Sequence, residues 1–348
     1  MEWSRSTDGV TLTHAFHIRG DGVGVNTITR AFLKQKLHEF VSPSEEVQHA
    51  IEDGQPVVLI DVSNVITRVP VDRAIEALER AAGTVRLNGA TPAFSAIQHG
   101  QICVGLSVED VGALAGINAL TVASRHQLPA LIASRGDAIV DVSLGMVIAE
   151  LAGIRVLATT TVNGATRHPL NRRSAGSVRT ASSIAHELSR NTVAVICSGP
   201  SAFDDARESL NGFLNYGVPV IGYCSSILPH HFVRETGIIL EQKLGTPKEC
   251  ADAMHYLWRL GLSGGMLIVS RIASDFSIKN EDLYAWLTSA ARSFDDQSHP
   301  LRDDLTRHVA SEWSDLIIKS DGRTVDAECE LIRENAGIGA ETAAAFAV

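Results

Sequence analysis

Lysine is scarce in this 348-residue chain. Six occur, Lys34, Lys36, Lys243, Lys248, Lys279 and Lys319, and none lies between residues 37 and 242. That long stretch therefore has no side-chain amine for Schiff-base chemistry. Positive charge is short overall: 30 Lys and Arg against 40 Asp and Glu leave a formal net charge of −10. A nucleic-acid binder needs a basic surface to displace counterions, so nucleic acid is excluded as a partner. A small phosphorylated ligand stays open, because a few arginines and helix N-termini suffice to hold it. The cysteines, Cys103, Cys197, Cys224, Cys250 and Cys329, are odd in number and contain no C-x-x-C pair. They read as reduced, mostly buried thiols rather than disulfides or a zinc site. No apolar run approaches the roughly 20 residues of a membrane span. The opening MEWSRSTDGVTLTH has no basic stretch leading into an apolar one, so no secretory signal is expected. A cytoplasmic protein without a membrane partner is the expectation.

What is present is ordinary globular composition, 45% apolar and 20% charged, enough to bury a core without staples. Residues 1–41 read as an N-terminal extension. Their Gly20-Asp-Gly-Val-Gly24 stretch follows no clear strand and reads as a loop, not a dinucleotide fingerprint. Ala31 to Phe40 is compatible with a short amphipathic helix. Residues 42–348 read as one α/β domain. Short apolar runs at 56–60, 154–158, 192–197, 218–222 and 266–269 have the character of buried strands. Helical spacing fits 71–82, 139–152, 178–189, 203–215, 246–260 and 325–347, whereas 275–325 is more polar and irregular, with a loop at 293–300. Such alternation predicts a largely parallel sheet covered by helices on both faces. Ligands of these folds bind at the carboxyl ends of the strands.

Those ends are rich in hydroxyls. Asp61 follows the first strand, Thr159, Thr160, Thr161 and Asn163 the second, Ser198 and Ser201 the third, Ser225 and Ser226 the fourth, and Ser270 and Arg271 the fifth. Together they suit a small hydroxylated ligand held by many hydrogen bonds. Taken singly, each Ser or Thr also fits as a helix cap. Arg167, Arg172 and Arg173 gather with His168 beside the threonine run, either as an anion clamp or as a solvated basic loop. Asp141 falls near the start of the 139–152 helix, where the dipole favours a carboxylate. It is either functional or an exposed terminal charge. The adjacent pair His230-His231 is read as loop before metal site.

The order of several segments resembles the pseudouridine-5′-phosphate glycosidase family. They are Ser42-Pro-Ser-Glu-Glu-Val47, Pro56-Val-Val-Leu-Ile-Asp61, Ala90-Thr-Pro-Ala93, Val104-Gly-Leu-Ser107 and Ala123-Ser-Arg-His-Gln-Leu-Pro129. Leu151-Ala-Gly-Ile-Arg-Val156, Gly217-Val-Pro-Val-Ile-Gly-Tyr223, Gly261-Leu-Ser-Gly-Gly265 and Asn335-Ala-Gly-Ile-Gly-Ala340 continue the series. The resemblance runs from about 42 to 346. It implies that family's α/β fold, cleavage of a C–C glycosidic bond through a lysine imine, manganese as cofactor, and a homotrimer. Its site residues do not carry over. Asp61 replaces the family's glutamate after the first strand. Val122 stands at one lysine position, and Ser201 at that of the imine-forming lysine. The metal-binding aspartate falls near Arg172, an asparagine becomes Ser270, and a histidine becomes Thr166 beside a retained Arg167. Serine cannot form an imine, and a guanidinium repels a metal ion. No metal ligand, and hence no cofactor, is expected.

Three functions follow in order. The first is an enzyme with the family's pocket and other chemistry. It would act by acid/base and electrostatic catalysis on a small polar, sugar-like or nucleoside-like molecule or specialised-metabolism intermediate. Asp61, Asp141 and Ser201 would be its catalytic candidates, and Thr160, Thr161, Asn163, Arg167, Arg172, Arg173 and Ser270 its substrate contacts. The second is a non-catalytic binding or scaffold homologue. The third is residual glycosidase activity by another route.

Overall fold

The computed structural model describes residues 40–116, 121–163, 178–295 and 313–347. The expected 1–41 extension, its 31–40 helix, and Arg167, His168, Arg172 and Arg173 lie outside these residues, save Phe40 and Val41. In chain order the first strands and helices are β1 (Val41–Pro43), α1 (Glu45–Glu52), β2 (Val57–Ile60), α2 (Ser63–Arg68) and α3 (Val71–Leu87). Next come β3 (Thr91–Ala93), β4 (Ser95–Gln98), β5 (Gln101–Val104), α4 (Val108–Ala115), β6 (Thr121–Ala123), α5 (Leu128–Ser134), β7 (Ala138–Val140) and α6 (Val142–Ala152). Then follow β8 (Val156–Ala158), α7 (Val178–Leu188), β9 (Ala194–Cys197), α8 (Ala206–Asn215), β10 (Val220–Tyr223), β11 (Gln242–Leu244) and α9 (Pro247–Arg259). The last are β12 (Met266–Val269), α10 (Asn280–Asp295), α11 (residues 313–319) and α12 (Arg323–Ala347).

Seven parallel strands form the main sheet in the order β11-β10-β12-β9-β8-β2-β3. Its central strands read VVLI, AVIC and MLIV, and every residue of them is buried. Continuous β-branched and aliphatic runs are what a sheet covered on both faces requires. The edges differ for a reason. Pro92, which cannot donate to a ladder, sits in edge strand β3, and the exposed Gln242 and Lys243 occupy edge strand β11, where charge discourages further pairing. Helix α12 lies against β2, β8 and β9 and packs on α3 and α9.

The chain leaves β2 for β3 on one side and later enters β8 on the other. The order therefore reverses between β2 and β8, the kind of position at whose carboxyl ends open α/β sheets bind ligands. Asp61 and Thr159 sit at that point.

Two features depart from the sequence reading. A second, mixed five-stranded sheet, β1-β5-β4-β7-β6, includes strands that mix buried with exposed residues and so show no continuous apolar run. Ile139 and Val140, expected as helix, belong to its strand β7, and the helix starts only after Asp141. The 275–325 region is also more regular than expected, holding α10 and α11 among its described residues. Buried Leu283 with Trp286 and Leu287 gives α10 an apolar stripe that packs on Trp313 and Leu316. Residues 293–295, expected in a loop, are its last turn.

Candidate active site

Hydrogen bonds continue the main-sheet ladder past the strand ends. Asp61 N–H reaches Ala158 O at 2.8 Å, Thr159 N–H reaches Ile196 O at 3.0 Å, and Ser270 N–H reaches Cys197 O at 2.8 Å. Asp61, Thr159, Ser198 and Ser270 thus follow four neighbouring strands, and all are buried. The carboxylate of Asp61 is fully engaged. Oδ1 accepts from Ser63 N–H at 3.0 Å and the Ser63 hydroxyl at 2.7 Å, and Oδ2 from the Thr159 hydroxyl at 2.8 Å. Asn64 Nδ2 donates to Thr159 Oγ1 at 3.1 Å and to Thr161 O at 3.0 Å. Burial pushes the Asp61 carboxyl above its ordinary value, opposed by the Ser63 and Thr159 donors and aided by the charge of Asp141. A buried carboxyl with a raised affinity for a proton is the kind of group that proton transfer uses.

Asp141 closes strand β7 of the smaller sheet. It caps α6, accepting from Leu144 N–H at 2.8 Å and the Ser143 hydroxyl at 2.6 Å. A short hydrogen bond from the Ser124 hydroxyl, just beyond β6, completes it. Asp61-Val-Ser63 and Asp141-Val-Ser143 repeat one local design, a strand end whose aspartate takes a hydroxyl two residues on. At Asp141 the capping role is the one its hydrogen bonds show.

Beside the threonine run stands a charged group that the sequence reading missed. Glu328 on α12 is 1% exposed. Its Oε1 accepts from Arg68 Nη1 at 3.1 Å and the Thr160 hydroxyl at 2.7 Å, and its Oε2 from His231 Nε2 at 2.6 Å. Arg68 Nη1 also donates to Thr161 Oγ1 at 3.0 Å, and its guanidinium lies 4.7 Å from the Trp313 ring centre. Ala202 N–H donates to His231 Nδ1 at 3.2 Å. A ring nitrogen that accepts an N–H carries no proton, so His231 is neutral with its proton on Nε2. Burial agrees, pushing the imidazole down to about 4 despite the carboxylate beside it. Burial opposes charge on Glu328, but His231, Arg68 and Thr160 outweigh it, and the carboxyl lies well below the usual range. The group is thus an Arg⁺–Glu⁻ pair with a neutral imidazole.

Ser201 is buried beside this group. Its N–H donates to Val162 O at 3.1 Å, and its carbonyl accepts from His230 Nε2 at 2.8 Å. His230-His231 is thus a loop, as expected, but a loop that ties the Ser201–Ala202 turn to Glu328. Asn163 is exposed at the end of the threonine run. Ser270 borders a cleft of about 260 Å³ with Arg271, Arg333 and Glu334. Among the described residues no three His, Cys, Asp or Glu side chains stand where they could hold a metal ion. The described donor set therefore does not fit a divalent cation, and no step is derived through one.

The missed residues left one usable sign. Val325, Cys329, Ile332, Ala336, Ala340 and Ala343 form the buried stripe of α12, and Glu328 falls beside them, one turn before Ile332. A carboxylate on an apolar face must find partners. Arg68 and Asn64 gave no comparable sign, since a six-residue helix shows no face.

A parallel sheet covered by helices, with a second small mixed sheet, defines an α/β architecture that solved structures share. The prealnumycin C-glycosynthase AlnA, solved with ribulose 5-phosphate, matches with a TM-score of 0.78 at 24% identity, over 88% of this chain and 97% of that one. An indigoidine synthase A-like protein from Thermotoga maritima matches with a TM-score of 0.76 at 19% identity, over 89% and 97%. At these identities the likeness is one of fold. Residues 46–345 match the family of indigoidine synthase A like proteins, and the chain belongs to that family. Its relatives include the pseudouridine-5′-phosphate glycosidase of Petrotoga mobilis, 33% identical over 307 residues (88% of this chain, 97% of that protein). That of Hahella chejuensis is 30% identical over 312 residues (89% and 99%). Among the described residues no helix is long and apolar enough to cross a membrane.

Proposed function

We propose that this chain is an enzyme that keeps the family's strand-end pocket and works by proton transfer rather than through a lysine imine. Its substrate is a small hydroxylated molecule of the sugar or nucleoside kind. The observation that carries the reading is Asp61: a buried carboxyl at the switch point, its affinity for a proton raised, with a second carboxylate, Asp141, within electrostatic reach. Asp61 is the group that gives and recovers a proton, and Asp141 is its charged partner. Ser201 supplies a hydroxyl where the family resemblance expects a lysine. Thr160, Thr161, Asn163 and Ser270 are the proposed substrate contacts, together with Arg167, Arg172 and Arg173 for an anionic group. The names of the relatives, and the sugar phosphate solved with AlnA, support a ribose-phosphate-like ligand. As in the resemblance, the protein is proposed to act as a cytoplasmic homotrimer.

The test is a paired assay. The purified chain is incubated with pseudouridine 5′-phosphate, and separately with uracil and ribose 5-phosphate, each with and without manganese. Products are followed by chromatography and binding by thermal shift. The expected result is a thermal shift with ribose 5-phosphate, reduced in Asp61→Asn, and no glycosidase turnover. Turnover of pseudouridine 5′-phosphate with borohydride-trappable sugar would overturn the altered chemistry. Neither turnover nor binding would favour a scaffold role.

A further inference from the structure

We infer that Arg68, Glu328 and His231 form a positioning unit that sets the hydrogen-bond polarity of Thr160 and Thr161 and clamps the Ser201–Ala202 turn beside them. The inference rests on the strand-end cluster being the active site.

The three residues come from α2, the loop after β10 and α12, and they meet at the ends of β8 and β9. Glu328 acts as the hub, with both oxygens filled. Its acceptance of the Thr160 proton leaves that hydroxyl only lone pairs to offer. Arg68 does the reverse at Thr161. The guanidinium occupies a lone pair of Oγ1, so Thr161 keeps its proton to give, and no described residue takes it. Thr159 has already committed its proton to Asp61. Three consecutive hydroxyls thus hold fixed roles, and among the described residues Thr161 is the donor with no acceptor. His231 extends the order to the next loop. With Nε2–H on Glu328 and Nδ1 taking Ala202 N–H, the ring admits one tautomer and one orientation. His231 N–H also binds Ser198 O at 2.9 Å. One carboxylate therefore registers the threonine run against the Ser201 turn.

A stability role alone does not account for this choice. Replacing a buried ion pair jointly by neutral groups of similar volume is commonly neutral or stabilising. A charged hub that bonds the Thr160 hydroxyl directly, and reaches Thr161 through Arg68 and the Ser201 turn through His231, points instead to geometry.

The same fact supplies the test. Arg68→Met with Glu328→Gln removes both charges together and strands neither. Three measurements are made on the full chain: melting temperature, His231 ring ¹⁵N shifts with amide exchange, and ribose 5-phosphate affinity. A melting temperature close to the parent is expected. The His231 Nε2 signal should shift as its proton loses a charged acceptor, and amides at 159–163 and 201–202 should exchange about tenfold faster or more. Affinity for ribose 5-phosphate should fall about tenfold, the worth of one well-placed hydrogen bond. A stable double variant with unchanged His231 ring shifts, exchange and affinity would overturn the inference and leave the group purely structural. Should the parent chain fail to bind ribose 5-phosphate, the active-site reading fails, while the ring-shift and exchange measurements still decide the unit.

Discussion

Adding one methyl group at Gly199 tests the architecture of the site directly. Gly199 lies between Ser198 and the Ser201 turn with φ at +79°, and a Cβ there would stand 2.1 Å from Pro229 O. Pro229 immediately precedes His230 and His231, so the methyl group would drive apart the two loops that the His230–Ser201 and His231–Ser198 bonds join. The left-handed conformation costs an alanine about 1–2 kcal/mol. Relieving contact with rigid backbone adds about 1–3 kcal/mol. The sum is roughly 2–5 kcal/mol. Unfolding entropy for about 300 residues makes 1 kcal/mol equal to about 1.6 °C, so Gly199→Ala should melt roughly 3–8 °C lower. Scanning calorimetry gives the shift, and ¹⁵N signals of His230 and His231 report whether the loops have separated. Unchanged melting with unchanged histidine signals would refute the close approach on which the site description depends.

Asp61→Asn should abolish the proposed proton transfer, read as lost turnover or product exchange on any substrate that the parent accepts. It also makes a stability prediction. Burial raises the Asp61 pKa, so between its ordinary and folded values the native chain binds more protons than the unfolded one, and stability falls as pH rises through that window. The asparagine variant lacks this loss, so its melting temperature should gain on the parent with rising pH, and a constant difference would contradict the burial. Asp141→Ala removes the α6 cap and should cost about 1 kcal/mol, seen as a lower urea midpoint at constant m-value; no change would show the cap to be idle. Of the thiols, Cys224 is exposed, while Cys197, Cys250 and Cys329 are buried and held up at about 12, 12 and 11 respectively. A disulfide reagent followed by peptide mapping should label Cys224 first and those three only on unfolding, and early labelling of Cys197 would contradict the sheet assignment.

The parallel sheet was legible because its central strands carry their burial in every residue. Runs such as Val57–Ile60 and Met266–Val269 have no polar alternation to obscure them. Once those strands were placed, the residues after them followed, and Asp61, Thr159, Ser198 and Ser270 do stand at neighbouring strand ends. The small sheet was not legible, because Thr121–Ala123 has no continuous buried run and Ala138–Val140 leads straight into the apolar helix α6. That is why Ile139 and Val140 passed for helix and Asp141 for an intrahelical charge, when the same residue closes a strand and opens α6.

The harder omission was the Arg68–Glu328–His231 group, and its cause is physical. Its members are separated by about a hundred residues or more along the chain, and only folding brings them together. Glu328 alone was within reach of a sequence argument. A lone carboxylate beside the apolar stripe of a long helix is unstable unless a cation or several donors meet it. Here Arg68 supplies the charge, and Thr160 and His231 supply the remaining donors. A scan for charges on otherwise apolar helix faces would have marked Glu328 and demanded a buried partner, with the scarcity of lysine turning the search to arginine. The same reasoning explains why the site needs no lysine to be polar. Its ordered hydroxyls, two aspartates and one neutralised ion pair make the strand ends polar, with hydrogen-bond roles set by where protons are held.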